Sequence, residues 1–179
     1  MRIIAGSCKG TKLEVAPQTT RPTSDRLKGS LFNSLFQRCN QQVWLDLFAG
    51  SGAIGLEALS RGAEQVVFNE LHYQPYLVLN KNIKKCHMVK QSVVHQKDAF
   101  DLVLKLQAEN VLFDVVYCDP PYDMDIQQVL DEVGDLIKEA GVLVIEQEKN
   151  AASYHIATPF QLIKARVVGQ SRYQAYRKG

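Results

Sequence analysis

With 179 residues, 46% of them hydrophobic and 22% charged, the chain fits one domain with a real core. No apolar run approaches the length that a bilayer crossing needs, and Cys8-Lys9-Gly10-Thr11-Lys12 interrupts any signal-peptide core near the start. Cys8, Cys39, Cys86 and Cys118 are too widely spaced for a metal-binding pair, so free thiols in a reduced cytoplasmic protein are expected, with no resident metal.

The net charge of +2 is unevenly spread. Residues 1–38 hold seven Lys/Arg against Glu14 and Asp25, and residues 149–179 hold six with no acid. The stretch between them has 8 basic and 17 acidic residues. An acidic middle is therefore flanked by basic ends. If the ends meet in space, Arg2, Lys9, Lys12, Arg21, Arg26 and Arg172 offer a positive surface to a phosphate backbone. If they lie on opposite sides, they are two solvated termini.

Along the chain, residues 2–15 read as a short hairpin around Cys8-Lys9-Gly10, and 17–22 as a loop. Thr23 or Ser24 can cap a helix whose Leu27, Leu31 and Leu35, with Phe32 and Phe36, share one apolar face. Arg21, Arg26 and Lys28 cluster at its start, placed to touch a substrate or simply solvated. From Val43 onward strands and helices alternate. Strands are expected near 43–48, 65–70, 92–97, 113–118, 141–147, 160–168 and 171–177. Helices are expected over 53–61, 73–86, 99–109 and 126–139. The alternation predicts an α/β fold, a mostly parallel seven-stranded sheet with helices on both faces. Gly169-Gln170 makes a two-residue hairpin turn, so the final strand runs antiparallel. The expected organisation is one domain, 1–179, with 1–40 a hairpin-and-helix extension and 41–179 the core.

The first of those strands ends in Phe48-Ala49-Gly50-Ser51-Gly52, and Ile54-Gly55-Leu56-Glu57 opens a helix. Gly50 and Gly52 permit positive φ and close approach to a ligand. The helix start offers free N–H groups to an anionic part of it. Gly50-x-Gly52-x-x-Gly55 also fits the dinucleotide fingerprint, which keeps an NAD-dependent oxidoreductase in contention. Glu70, ending the next strand, can hold ribose hydroxyls in either reading. Asp46 helps to choose. A carboxylate inside the first strand is unusual for a dinucleotide site, and it can meet the amino-acid end of S-adenosylmethionine. It can also serve the turn alone, by bonding nearby backbone N–H groups.

Asp119-Pro120-Pro121-Tyr122 follows the apolar run Phe113-Asp114-Val115-Val116-Tyr117-Cys118. Two prolines cannot continue a hydrogen-bond ladder, so the chain turns out of the sheet there. The corner offers a carboxylate, a carbonyl and an aromatic ring. Two acceptors and a stacking face suit a flat base with an exocyclic amine; the plain alternative is a Pro-containing turn with an exposed Tyr. Gly50, Glu70, Asp98 and Asp119 all fall just past expected strand ends, the rim where ligands sit in such sheets. Asp98 on its own is equally explained as a helix N-cap. Cys118 alternates with Asp119 along the strand and is expected in the core.

With both motifs in view, the chain resembles the class I S-adenosylmethionine-dependent methyltransferases, and closely the bacterial family that methylates the N2 amine of a guanine in 16S ribosomal RNA. The resemblance rests on Met1-Arg2-Ile3-Ile4-Ala5-Gly6, Arg21-Pro22-Thr23-Ser24-Asp25-Arg26, Leu31-Phe32-Asn33, the block from Leu45 to Gly52, the block from Gly55 to Ala63, and Asp119-Pro120-Pro121-Tyr122. It implies a Rossmann-like fold with S-adenosylmethionine as cofactor. Asp46 and Phe48, Ala49, Gly50, Ser51 and Gly52 would bind its methionine part, Glu70 its ribose, and Asp98 with Ala99 the adenine edge. Asp119, Pro120, Pro121 and Tyr122 would hold the target base. The implied partner is 16S rRNA in an assembled small-subunit particle, met by a cytoplasmic monomer with no membrane association. Asn69, Leu71 and His72 depart from the family pattern. The corner itself would also accept an adenine N6 amine or a glutamine amide, and a non-catalytic RNA-binding module is a further rival.

Overall fold

Successive strand residues face opposite sides of a sheet, and in this chain both sides are apolar. Trp44, Val66, Phe68, Val115, Tyr117, Val142 and Val144 pack on one face, and Leu45, Val67, Val116, Cys118, Leu143 and Ile145 on the other. Such strands need helices on both faces. The computed structural model, which describes residues 1–17 and 24–179, has that arrangement. In chain order the elements are α1 (Asp25–Leu35), β1 (Val43–Asp46), α2 (Ala53–Ser60), β2 (Gln65–Asn69), α3 (Tyr73–Lys85), β3 (Ser92–His95), α4 (Ala99–Ala108), β4 (Phe113–Cys118), α5 (Gln127–Val133), β5 (Ile137–Glu148), β6 (Phe160–Val168) and β7 (Ser171–Lys178).

The sheet has seven strands in the order β3-β2-β1-β4-β5-β7-β6. The first five are parallel, and β7 inserts antiparallel between β5 and β6, as the tight turn after Val168 requires. Strand order reverses between β1 and β4. The loops leaving these two neighbours therefore diverge over opposite halves of the sheet and leave a crevice at their carboxyl ends.

The largest departure from expectation lies between α5 and β5. The helix expected over 126–139 stops at Val133, and the strand expected from 141 begins at Ile137. Val129, Val133 and Ile137 repeat at helical spacing, which misleads a reading by period. Ile137 instead pairs with Phe113, after which the register shifts at a bulge before Val115 meets Val142. Lys178 draws the segment in by donating from Nζ to the Gly134 and Ile137 carbonyls, at 3.0 and 2.9 Å. β1 and β3 are also shorter than expected, ending at Asp46 and His95.

The N-terminal hairpin forms one bridge, Arg2 to Lys12, and docks on α2. Ser24 caps α1, accepting from the Leu27 N–H at 3.1 Å; Thr23 and residues 18–22 of the expected loop lie outside the described residues. Phe32 of α1 stacks on Trp44 with ring centroids 5.7 Å apart, and Phe36 meets the same indole edge-on at 4.8 Å. α1 also reaches the C-terminal hairpin, where the Tyr173 hydroxyl lies 3.3 Å from Ser30 Oγ and 3.0 Å from Ser34 Oγ. The two ends of the chain do meet.

Beneath the hairpin is a buried ionic cluster that sequence reading missed. Glu57 accepts from the Ile4 and Ala5 N–H groups at 2.8 and 3.1 Å and from Arg61 Nε at 2.8 Å. Lys28 Nζ lies 3.6 Å from the same carboxylate and donates to the Arg2 carbonyl. Lys28 is thus a buried anchor and not a surface cation, and burial pushes its ammonium below the ordinary value against the pull of Glu57 and Asp25. Replacing Glu57 with Ala strands two cations and two amides. The expected loss is about 3–5 kcal/mol of folding stability, measured by urea denaturation, with the hairpin's amides losing hydrogen-exchange protection first. A loss under about 1 kcal/mol would show that the cluster does not hold the arm.

Candidate active site

A cavity of about 590 Å³ opens at the crevice between the β1 and β4 loops. The glycine turn after β1 forms its floor. Its conformation is fixed by three bonds: Ala49 N–H to the Asn69 carbonyl at 2.8 Å, Gly52 N–H to the Ala49 carbonyl at 2.7 Å, and Gly50 N–H to Glu70 Oε2 at 2.9 Å. The two glycines serve different ends. Gly50 has φ +54°, and a Cβ there would meet nothing within 4 Å, so it leaves the backbone open to a ligand. Gly52, φ +81°, does not line the cavity; a Cβ there would lie 2.5 Å from Leu79 Cδ1, so its need for glycine comes from packing on α3.

Glu70 accepts from Gly50 at Oε2 and from the His72 N–H at Oε1, 2.8 Å. Each oxygen keeps a second lone pair for a hydroxyl donor. Asn69 braces the same corner, bonding the Leu47 and Lys97 carbonyls through Nδ2 and the Lys97 N–H through Oδ1. Its amide does structural work that an apolar residue could not. Asp98 caps α4 through Oδ1, at 2.8 Å from the Phe100 N–H, and lines the cavity with Ala99. Phe48 and Ser51 line it too, as do Leu71, His72 and Tyr73. Met1, Val15 and Ala16 of the N-terminal arm complete the wall. The sequence assigns that arm basic residues for a phosphate backbone but no place in the cavity wall. Asn82 ties the arm to the floor by donating to the Ser51 and Glu14 carbonyls and accepting the Glu14 N–H.

Asp46 lies under the floor, 1% exposed, with Oδ2 accepting the Gly55 N–H at 3.0 Å. It holds the start of α2, and it also borders the cavity. Burial lifts its carboxyl to about 7, opposed by the Gly55 N–H and reinforced by Glu70.

On the other side of the crevice, Asp119, Pro120, Pro121 and Tyr122 all line the cavity. The turn closes through the Met124 N–H on the Pro121 carbonyl at 3.0 Å, and Tyr122 stands half-exposed at the rim. Cys118 is fully buried on the opposite sheet face, where burial pushes its thiol up. Tyr117, just before the corner, also lines the cavity, and its hydroxyl donates to the buried Glu146 carboxylate of β5. This pair went unread, although an acid after an apolar run is the same signal that marked Glu70.

The basic residues divide. Arg2, Lys9, Lys12 and Arg26 are exposed, with Arg2 Nε 4.0 Å from Asp25. Arg172 is turned inward. Its Nη2 donates to Gln147 Oε1, the Ala151 carbonyl and Ser153 Oγ, so it holds the segment after β5. Arg21 lies outside the described residues.

The strand order, the glycine floor and the acids at successive strand ends define a class I methyltransferase. Comparison with known proteins narrows the class. The family described as conserved hypothetical protein 95 matches residues 1–177, and the chain belongs to that family. Ribosomal RNA small subunit methyltransferase D of Haemophilus influenzae is 36% identical over 98% of this chain and 93% of its own length. The protein of the same name from Escherichia coli K12 is 32% identical over 99% and 90%. A solved methyltransferase structure from Escherichia coli superposes with a TM-score of 0.87 at 29% identity, covering 99% of this chain and 97% of its own. Among the described residues no helix is long and apolar enough to cross a membrane.

Asp46 gives a test by pH. Its carboxyl is near 4 when unfolded and about 7 when folded, so the folded state binds the extra proton between these values. Its contribution therefore makes the ligand-free protein less stable as pH rises from about 4 to 7. Asp46→Asn should flatten that part of the stability–pH curve in denaturation experiments; an unchanged slope would mean that Asp46 is not the titrating group.

Proposed function

We propose that this protein transfers the methyl group of S-adenosylmethionine to the exocyclic N2 amine of a guanine in 16S rRNA, acting as a monomer on an assembled small-subunit particle. The observation that carries the chemistry is that the Asp119-Pro120-Pro121-Tyr122 corner and the glycine floor face one cavity. The names of the relatives support ribosomal RNA as the substrate.

The residues present fit the cofactor. The cavity is large enough, Gly50 leaves the floor open, and the acids suit a ligand that carries positive charge and ribose hydroxyls. Glu70 would take the ribose, Asp46 and the floor amides the amino-acid end, and Asp98 with Ala99 the adenine edge. When bound, the cofactor supplies a methyl group on a sulfonium, so the reaction calls on no protein nucleophile.

The remaining difficulty is the base. A guanine amine shares its lone pair with the ring and is a poor nucleophile. Asp119 and the Pro120 carbonyl accept its two N–H bonds, favour a pyramidal nitrogen and stabilise the positive charge that develops there. Tyr122 stacks on the base and keeps it out of its helix or loop. The amine lone pair would take up the methyl group that the cofactor supplies when bound, and the surplus proton would leave to Asp119 or to water.

Asp119→Ala is expected to bind S-adenosylmethionine with little change by calorimetry and to lower methyl transfer about 10²- to 10³-fold. The substrate is small-subunit particles from cells lacking the protein, with radiolabelled methyl counted in RNA and protein fractions. Full activity in the variant would remove Asp119 from its role. Label appearing in protein, or on adenine after mass mapping, would replace guanine as the substrate.

A further inference from the structure

The Asp119-Pro120 corner grips an amine but cannot tell which purine carries it. The register of the sheet brings a second polar group to the same place. Cys118 of β4 pairs with Ile145 of β5, so Asp119 and Glu146 follow as neighbours at the carboxyl edge. Asp46 is the registered partner of Tyr117 on the other side. The Tyr117 hydroxyl therefore bonds Glu146, with Asp119 and Asp46 close enough to act on its ionisation, and Tyr117 lines the same cavity as the corner and the glycine floor.

A phenol has one proton to give. Here it goes to Glu146 Oε2. Tyr117 is 1% exposed and Glu146 5%, so neither group can readily exchange this bond for one with water. Burial, and then Glu146 and Asp119, push the ionisation of the phenol well above its ordinary value, and the proton stays in place. With that proton committed, the oxygen has only lone pairs to offer any group that enters the cavity Tyr117 lines.

Guanine and adenine differ at this point. Beside the guanine amine lies N1–H, a donor; beside the adenine amine lies N1 with a lone pair. We propose that the Tyr117 oxygen, its proton fixed on Glu146, accepts the ring N–H next to the reacting amine and so selects guanine over adenine. Tyr117 is then the specificity-determining residue and Glu146 a positioning residue acting through it. The inference rests on the guanine reading above and gives it a physical basis that the corner alone lacks. An N1 lone pair would face the phenol oxygen acceptor to acceptor, leaving both unpaired in a buried site, which corresponds to a roughly 10- to 100-fold loss.

The test uses reconstituted small-subunit particles carrying either guanosine or 2-aminopurine riboside at the mapped position. The analogue keeps the N2 amine but has a lone pair at N1. The wild-type protein should methylate the analogue with a kcat/KM about 10- to 100-fold lower. Tyr117→Phe removes the acceptor and should lower the guanine rate while narrowing the ratio. Glu146→Leu frees the phenol proton to point at the base, and should narrow the ratio by raising the relative rate on 2-aminopurine. Equal rates on both bases for the wild-type protein would overturn the proposal without any variant. So would variants that slow both bases by one common factor, the mark of a merely structural role. If mass mapping places the missing methyl on a base other than guanine, the underlying guanine reading fails first, before any ratio is measured.

Discussion

Parallel pairing of β1 with β4 is the constraint on which the site depends. Three registered pairs, Trp44 with Val115, Leu45 with Val116 and Asp46 with Tyr117, fix the ends of the two strands side by side. Seventy residues of sequence separate them, yet their loops emerge over one gap. The glycine floor and the double-proline corner face each other because the strands beneath them cannot slip. A slip of one residue would turn Asp46 and Tyr117 to the opposite sheet face and bury the cavity's polar groups against α4 and α5.

The walls are held by a different kind of force. The N-terminal arm has one β-bridge of its own and buries only Ile3, Leu13 and Ala16 as apolar anchors. It is fastened by polar groups with few alternatives: Glu57 on the Ile4 and Ala5 amides, Ser60 Oγ on the Cys8 amide and Ala5 carbonyl, and Asn82 on Glu14. Such bonds fix geometry more than they add stability, because each buried charge has already lost its hydration. The gain is orientation. Met1, Val15 and Ala16 reach the cavity wall, and the exposed Arg2, Lys9 and Lys12 are carried on the same arm.

The architecture was legible because it is written in local signals. Apolar runs, glycine turns and a two-residue hairpin mark the seven strands, and acids just past strand ends mark the rim. What escaped was non-local. Nothing local says that Lys28 is buried, since its burial depends on Glu57 and the Arg2 carbonyl, both remote in sequence. Arg172 reads as a surface cation until the 147–153 segment folds over it. The end of α5 was misplaced because Ile137 keeps the helical period while its partner is Phe113 in another strand. The sequence leaves Asp46 between two roles; it holds the amide of Gly55 and also borders the cavity.

The charge pattern follows from the same geometry. Asp46, Glu70, Asp98 and Asp119 surround the cavity, while exposed Arg2, Lys9, Lys12 and Arg26 lie on the N-terminal hairpin and α1. An acidic interior attracts a cationic cofactor and repels phosphate; a basic exterior does the reverse. On the proposed function this arrangement sorts a nucleotide into two parts. Its backbone is held outside by the basic arm, and only the neutral base is admitted past Tyr122 to the acceptors within. The uneven distribution of a net charge of +2 thus has a mechanical sense that the total alone conceals.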